Sequence, residues 1–146
     1  MPNQLIEFVK AGDVAAAQRL FAEGANANAR DETGATLLML AAHAGDLPMT
    51  KALIAAGAEV NANDERGWTA LSKSVFNAEL NRGFAEVTQA LIDAGANIEA
   101  AIGVILEAIE KAGYTVASGY AVVKDPGRTK FVYRDRLWQG ADMMGL

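Results

Sequence analysis

The sequence offers few side chains that could carry out catalysis. His43 is the single histidine among 146 residues, and cysteine is absent. A Ser-His-Asp or Cys-His arrangement would therefore depend wholly on His43. Gly45 follows closely and indicates a helix end, where a histidine interacts favourably with the helix dipole. No HExxH, P-loop or strand-linked GxGxxG motif occurs. We therefore expect a protein that is not an enzyme and that holds no cofactor and no metal.

Two acidic pairs, Asp31-Glu32 and Asp64-Glu65, are the other candidates for chemistry. A carboxylate pair used for hydrolysis needs a cleft and a raised pKa. The residues of each pair instead lie two or three positions before a glycine, as turn residues do. The pattern favours solvated turn tips over a hydrolytic site.

Basic and aromatic side chains alternate near the end of the chain, which is typical of a surface that stacks bases and holds phosphates. The residues are Lys124, Arg128, Lys130, Arg134 and Arg136, with Tyr120, Phe131, Tyr133 and Trp138. The net charge of −5 divides into −7 for residues 1–113 and +2 for residues 114–146. Since the negative body repels phosphate, a nucleic-acid-binding hairpin is the less favoured alternative.

The composition sets the class of protein. Apolar residues make up 51% of the chain and charged residues 21%, as in ordinary globular proteins. No apolar run approaches the roughly 18 residues that a membrane span needs, and the first residues lack a signal-peptide pattern. The absence of cysteine favours a cytoplasmic location, and the alanine-rich composition suggests a bacterial source.

One phrase occurs three times along the chain. It reads RLFAEGANANAR at 19–30, ALIAAGAEVNAN at 52–63 and ALIDAGANIEAA at 90–101, so the intervals are 33 and 38 residues. A period in this range indicates stacked structural units. The sequence therefore predicts three repeats, with five additional residues falling within FNAELNR at 76–82, either as a longer helix or as a bulging loop.

Each repeat contains the signals of two helices and a turn. Asp31 with Gly34, and Asp64 with Gly67, predict turns, and Thr36 and Thr69 are the expected N-caps of the helices that follow. Further glycines are expected to end the helices, at Gly12, Gly45 and Gly83 for the first helix of each repeat and at Gly24, Gly57 and Gly95 for the second. The leucines expected on the buried face of the second helices are Leu20, Leu53 and Leu91.

The pattern DxxGxT.L...A..GD.....ALI.AGA.VNA, strongest in residues 31–63, resembles the ankyrin repeat family. The resemblance runs from about Asn3 to Ala101. It implies a mainly α fold, an ankyrin-type helix-turn-helix solenoid of three repeats. The family usually shows Pro, Leu and His after the Thr, whereas Leu37, Leu38 and Met39 follow Thr36 in this chain.

The resemblance also implies a protein partner, bound on the concave side of the turns and first helices. The candidates on the turns are Glu32, Thr33, Ala35, Glu65, Arg66 and Trp68, and those on the first helices are Met39, His43, Ser72, Val75 and Asn77. Trp68 stands out because tryptophan is enriched among dominant interface residues; covering the neighbouring turn is an equal alternative. We expect a non-catalytic adaptor or inhibitor.

The residues after the repeats predict a cap and a small hairpin. NIEAAIGVILEAIEKAG reads as a helix from Asn97 to Gly113 that is predicted to pack on the third repeat. Its apolar residues recur at helical spacing, at Ile98, Ile102, Ile105, Leu106 and Ile109. Beyond it, Pro126-Gly127 is the expected turn of an antiparallel β-hairpin followed by an apolar tail. The expected domains are 1–113 and 114–146, and a homodimer formed through 114–146 is an alternative function.

Overall fold

A computed structural model describes residues 2–75, 84–113, 115–118 and 121–123. The chain divides into two compact units, Met1–Val104 and Ile105–Leu146. The expected insertion at 76–82 lies outside the described residues.

Helices make up the first unit. They are α1 Pro2–Ala11, α2 Val14–Ala22, α3 Leu37–Ala44, α4 Leu47–Ala55, α5 Ala70–Val75, α6 Ala85–Asp93 and α7 Ile98–Lys111, the last of which continues into the second unit. The helices α1, α3 and α5 pack side by side as an inner row, and α2, α4 and α6 form an outer row. Each inner helix also packs on the outer helix that follows it. This arrangement confirms the predicted solenoid of three helix pairs.

Two of the predicted caps, Thr36 and Gly45, define the ends of α3, and Asp46, which was not predicted as a cap, starts α4. Thr36 Oγ1 accepts a hydrogen bond from Met39 N at 3.3 Å, which starts α3. Gly45 ends α3 with φ 70°, in the left-handed region that residues with a Cβ avoid. Asp46 Oδ1 then accepts from Met49 N at 3.0 Å and starts α4. The signals at Thr36 and Gly45 are thereby confirmed.

The core lies between the two rows of helices. Leu37, Leu38, Met39, Met49, Leu53 and Leu91 are all below 2% exposed. Of the three leucines expected on the second helices, Leu53 and Leu91 are fully buried, and Leu20 packs against the core while partly exposed. Since α3 has a neighbour on each side and α4 behind it, most of its side chains are inside.

The helix α7 begins as expected but turns a different face to the repeats. Asn97 Oδ1 accepts from Ala100 N at 3.0 Å and caps the helix. Ala101 is 2% exposed and belongs to the core, whereas Ile98 and Ile102 are 47% and 51% exposed. The prediction that these two isoleucines pack inward is therefore wrong. A small side chain at Ala101 lets the helix backbone come close to the last repeat.

The described part of the second unit contains a short β-hairpin. Strand β1, Thr115–Ser118, pairs antiparallel with β2, Ala121–Val123, and Thr115 lies opposite Val123. Both strands fall within YTVASGYAVVK at 114–124, which the sequence predicts as a single strand leading to the Pro126-Gly127 turn. The predicted hairpin across Pro126-Gly127 and the apolar tail lie outside the described residues.

Candidate functional site

Two turns project from the first unit, and we call residues 30–36 finger 1 and residues 63–69 finger 2. In finger 1 the two ends, Arg30 and Thr36, pair as an isolated β-bridge. Asp31 Oδ1 accepts from Thr33 Oγ1 at 2.6 Å, from Thr33 N at 2.9 Å and from Ala35 N at 3.2 Å. The Asp31 backbone N donates to Ala35 O at 2.9 Å. The aspartate thus fixes the turn from inside, as sequence indicated.

Finger 2 repeats this geometry. Asn63 and Thr69 form its bridge. Asp64 Oδ1 accepts from the backbone N of Arg66 and of Trp68, at 2.9 Å each. Lys73 Nζ of α5 lies 3.2 Å from Asp64 Oδ2. The carboxylates of both finger aspartates are therefore used within the structure.

The surroundings of Asp31 change its acidity. Burial of the side chain raises the pKa of the carboxyl, but the hydrogen bonds from Thr33 and Ala35 and the charge of Lys10 outweigh this, so the pKa lies below its ordinary value. Lys10 Nζ is 4.0 Å from Asp31 Oδ2. The charged form of Asp31 is the form that the finger requires.

The two fingers are tied to each other by Arg30. Its Nη1 donates to Gly34 O in its own finger at 2.6 Å and to Asn63 O in the next at 2.9 Å. The side chain of Glu65 lies beside Gly34, with Cγ 3.6 Å from the place where a Cβ would be. Neighbouring fingers are thereby held at a fixed spacing.

A second set of links joins the loops that follow the outer helices. Asn28 Oδ1 accepts from Glu59 N at 2.7 Å, 31 residues further along. Asn61 Oδ1 accepts from Asn97 N at 2.7 Å, and its Nδ2 donates to Gly95 O at 3.1 Å. Asparagines one repeat apart thus make the same connection to the loop that follows the next outer helix.

Below each finger, a buried cap replaces the one that the family resemblance implies. Ser72 stands where the family usually has His, and its Oγ accepts from Thr69 N at 2.9 Å, while Ser72 N donates to Thr69 Oγ1 at 3.2 Å. In the preceding repeat Met39 takes the same position, and Thr36 N points to its sulfur at 3.4 Å. In both repeats the N-cap threonine therefore finds its hydrogen-bond partner within its own repeat.

The structure sorts the candidate partner-binding residues by exposure. The exposed ones are Glu32, Thr33, Glu65, Arg66 and Val75, and the half-buried ones are Trp68 and His43. Ala35, Met39 and Ser72 are buried, at 3%, 0% and 0%. Asn77 lies outside the described residues. Because a buried side chain offers no surface to a partner, the candidate site rests on the exposed and half-buried group.

The sequence pattern missed the residues that position this site. Asn28 and Asn61 could have been found, since they recur one repeat apart in the same phrase. Arg30 gives no such signal, because Asn63 stands at the equivalent place in the next repeat. Arg30 acts through a hydrogen bond to the carbonyl oxygen of Asn63, which comes close only when the two repeats stack.

Neither a metal site nor a membrane span is found in the part of the chain that the structure describes. Within ranges 2–75, 84–113, 115–118 and 121–123, no three His, Cys, Asp or Glu residues are grouped as metal ligands. No helix in these same ranges has the length and apolar character of a membrane span. His43 is half-buried on α3, and it is not without an interaction partner in the structure.

Helix pairs stacked in two rows, with projecting turns tied from one repeat to the next, define a helical repeat protein. The chain belongs to the ankyrin repeat family, since the family model described as "Ankyrin repeats (3 copies)" matches residues 5–102. A comparison with curated proteins gave no match. Ankyrin repeats are generally non-catalytic modules for protein–protein interaction.

Proposed function

We propose that this chain is an adaptor or inhibitor that binds a protein partner through a finger surface. The finger surface consists of the exposed and half-buried candidates, Glu32, Thr33, Glu65, Arg66, Trp68, His43 and Val75. One observation carries the proposal: Arg30 ties the two fingers together at 2.6 and 2.9 Å, and their tips remain exposed. A surface that is ordered before binding loses less entropy on association.

The charges of the fingers support a partner with a basic surface. Asp31 and Asp64 are used by their own turns and by lysines. Glu32 and Glu65 are exposed and make no hydrogen bond or ion pair with any residue that the structure describes. These two glutamates, one on each finger, are available for Lys or Arg side chains of a partner and favour its orientation and rate of encounter.

Trp68 supplies the apolar part of the surface. Its backbone N is fixed by Asp64, and its side chain is half-buried. It occupies the position of Ala35 in the preceding finger, where the side chain is 3% exposed. A large aromatic side chain at the last finger, partly open, is suited to the centre of an interface.

The experiment is partner capture from the native host with four immobilised baits. They are the wild type, Glu65→Arg, Trp68→Ala and a control, Glu23→Arg, whose exposed site at the end of α2 is outside the finger surface. A partner retained by the wild type and the control, but lost with both finger variants, supports the proposal. Equal capture by all four baits would rule out this surface.

The remaining predictions concern assembly and location. Self-association through residues 114–146 stays a prediction, and its test is light scattering of a chain ending at 113, which would then be monomeric while the full chain is dimeric. A cytoplasmic location and a bacterial source stay predictions from composition.

A further inference from the structure

We propose that a groove between α4 and α6 is a second docking site, for a basic amphipathic α-helix of a protein partner. We call it the outer groove. Its volume is about 700 Å³, and its lining is Leu47, Lys51, Ile54, Ala55, Glu86, Gln89, Ala90, Asp93 and Ala94. Every one of these residues belongs to an outer helix or its end, whereas the finger surface uses turns and inner helices. The two sites therefore share no residue.

The floor of the outer groove is formed by apolar side chains, and the alanines among them are small. Ala90 of α6 and Ala94 at the C-cap of that helix are partly buried, and the partly buried Leu47 and Ile54 of α4 also line the groove. The distance between packed helices, about 8 to 10 Å, depends on the side chains at the contact. Alanines between two helices therefore leave room for a third helix to lie close, as in helix-in-groove recognition.

The helix α6 forms one wall of the outer groove, and its acidic side chains favour a basic partner helix. Glu86 and Asp93 are exposed on the same helix, seven positions apart, a separation of about two helical turns. Neither makes an ion pair with the residues that the structure describes, and Asp93 Oδ1 accepts one hydrogen bond, from Gln89 Nε2 at 2.8 Å. Two basic residues on one flank of a partner helix, also seven positions apart, would meet both carboxylates.

The α4 wall fixes the orientation of that helix. Lys51 is exposed at the groove and has no ion pair among the described residues. A basic residue on the flank next to α4 would be repelled by it, so the basic flank of the partner must face α6. The charge pattern thus favours one placement of the helix over its reversal.

The preceding pair of outer helices lacks these features. With the interval of 38 residues between the second and third repeats, Glu86 corresponds to Pro48 and Asp93 to Ala55. With the interval of 33, Ile54 corresponds to the larger Phe21. The carboxylate pair belongs to α6 alone, so the site is not a general property of the stacked repeats.

A synthetic peptide tests the proposal directly. The probe is a labelled alanine- and leucine-based helix of about 20 residues, with leucines on one face and two lysines seven positions apart on the flank. Fluorescence anisotropy with the full chain should give saturable binding. The double variant Glu86→Lys/Asp93→Lys should weaken it by about tenfold or more, and Ala90→Arg should weaken it similarly by filling the floor.

Two controls separate the groove from the overall charge and from the finger surface. Glu7→Lys/Glu23→Lys makes the same change in net charge at exposed positions away from the groove and should bind as the wild type does. Glu65→Arg should also leave peptide binding unchanged. The proposal is overturned if the wild type fails to bind the peptide at about 1 mM. Equal affinity of the wild type and the Glu86→Lys/Asp93→Lys variant would overturn it too.

Discussion

The ring of Phe84 lies where a side chain on Gly45 would have to be: a Cβ built on Gly45 would overlap three ring carbons. Gly45 ends α3, and Phe84 precedes α6, so this contact joins the second and third repeats. At the N-caps of α2 and α4 stand Asp13 and Asp46, which cap with their side chains, whereas Phe84 makes no such bond. The third repeat has an aromatic contact in place of a polar cap.

Replacement of Gly45 should therefore cost more than replacement of a comparable glycine. Gly57→Ala is the control, since Gly57 also has positive φ, 85°, but open space where the Cβ would go. We expect Gly57→Ala to lower the free energy of unfolding by about 1 to 2 kcal/mol, the cost of the left-handed conformation. Gly45→Ala should lose roughly 1 to 3 kcal/mol more, because the ring must move. Urea denaturation measures both, and equal losses would contradict the contact.

The asparagine links should contribute to stability through the junctions between repeats. Asn61→Ala removes the bonds to Asn97 N and Gly95 O, and we expect a loss of about 1 to 2 kcal/mol in the free energy of unfolding. The control is Asn26→Ala, because Asn26 Oδ1 accepts only from Asn28 N nearby, at 2.9 Å. If Asn26→Ala lowered the free energy of unfolding as much as Asn61→Ala does, the inter-repeat hydrogen bonds would contribute no more stability than a local one.

The buried cap at Ser72 should be sensitive to the loss of one oxygen. Ser72→Ala leaves the Thr69 backbone N without its acceptor in a buried place, which costs about 1 to 3 kcal/mol. The matched variant Met39→Leu removes a weak sulfur acceptor but keeps the volume, so we expect less than about 1.5 kcal/mol. Thermal unfolding of the two variants gives the comparison, and a Met39→Leu loss greater than that of Ser72→Ala would refute it.

The lowered pKa of Asp31 predicts how finger 1 responds to acid. Because the pKa in the folded chain is below that in the unfolded chain, the ionised carboxylate stabilises the fold above the unfolded value, and this contribution is lost as pH falls through the folded value. Asp31→Asn should therefore be less stable than the wild type at pH 7. The difference should shrink in strong acid.

Thr33 supplies the controlling variant for this titration. The hydrogen bond from its side chain to Asp31 is the largest of the effects that lower the pKa. Because Thr33→Val removes this bond and keeps the one from the backbone N, it should raise the pKa of Asp31 towards the ordinary value. NMR titration of the Asp31 carboxyl carbon measures it in both proteins. The same pKa in the wild type and in Thr33→Val would contradict the assigned cause.

Much of the fold could be predicted because its signals are local. The turn aspartates, the cap at Thr36 and the glycine at Gly45 act within a few residues, and the period of the phrases shows that the units stack. The leucines of the second helices were placed correctly at Leu53 and Leu91. These features need no knowledge of what lies across the structure.

Side-chain placement between repeats could not be predicted in the same way. Met39 and Ser72 were expected on the partner-binding face. An inner helix, however, contacts neighbouring helices on several sides, so the spacing of its apolar residues does not reveal which side faces solvent. At α7 the sequence suggested Ile98 and Ile102 as the packed side, whereas Ala101 is buried because the helix lies close to the last repeat. Such outcomes depend on the distance between elements.

Hydrogen exchange of the chain, measured with and without its captured protein partner, locates the surface that binds. If the finger surface is that surface, binding should slow exchange in 30–36 and 63–69 and along α3 and α5. Exchange slowed only in α4 and α6, or only in 105–146, with both fingers unchanged, would contradict it.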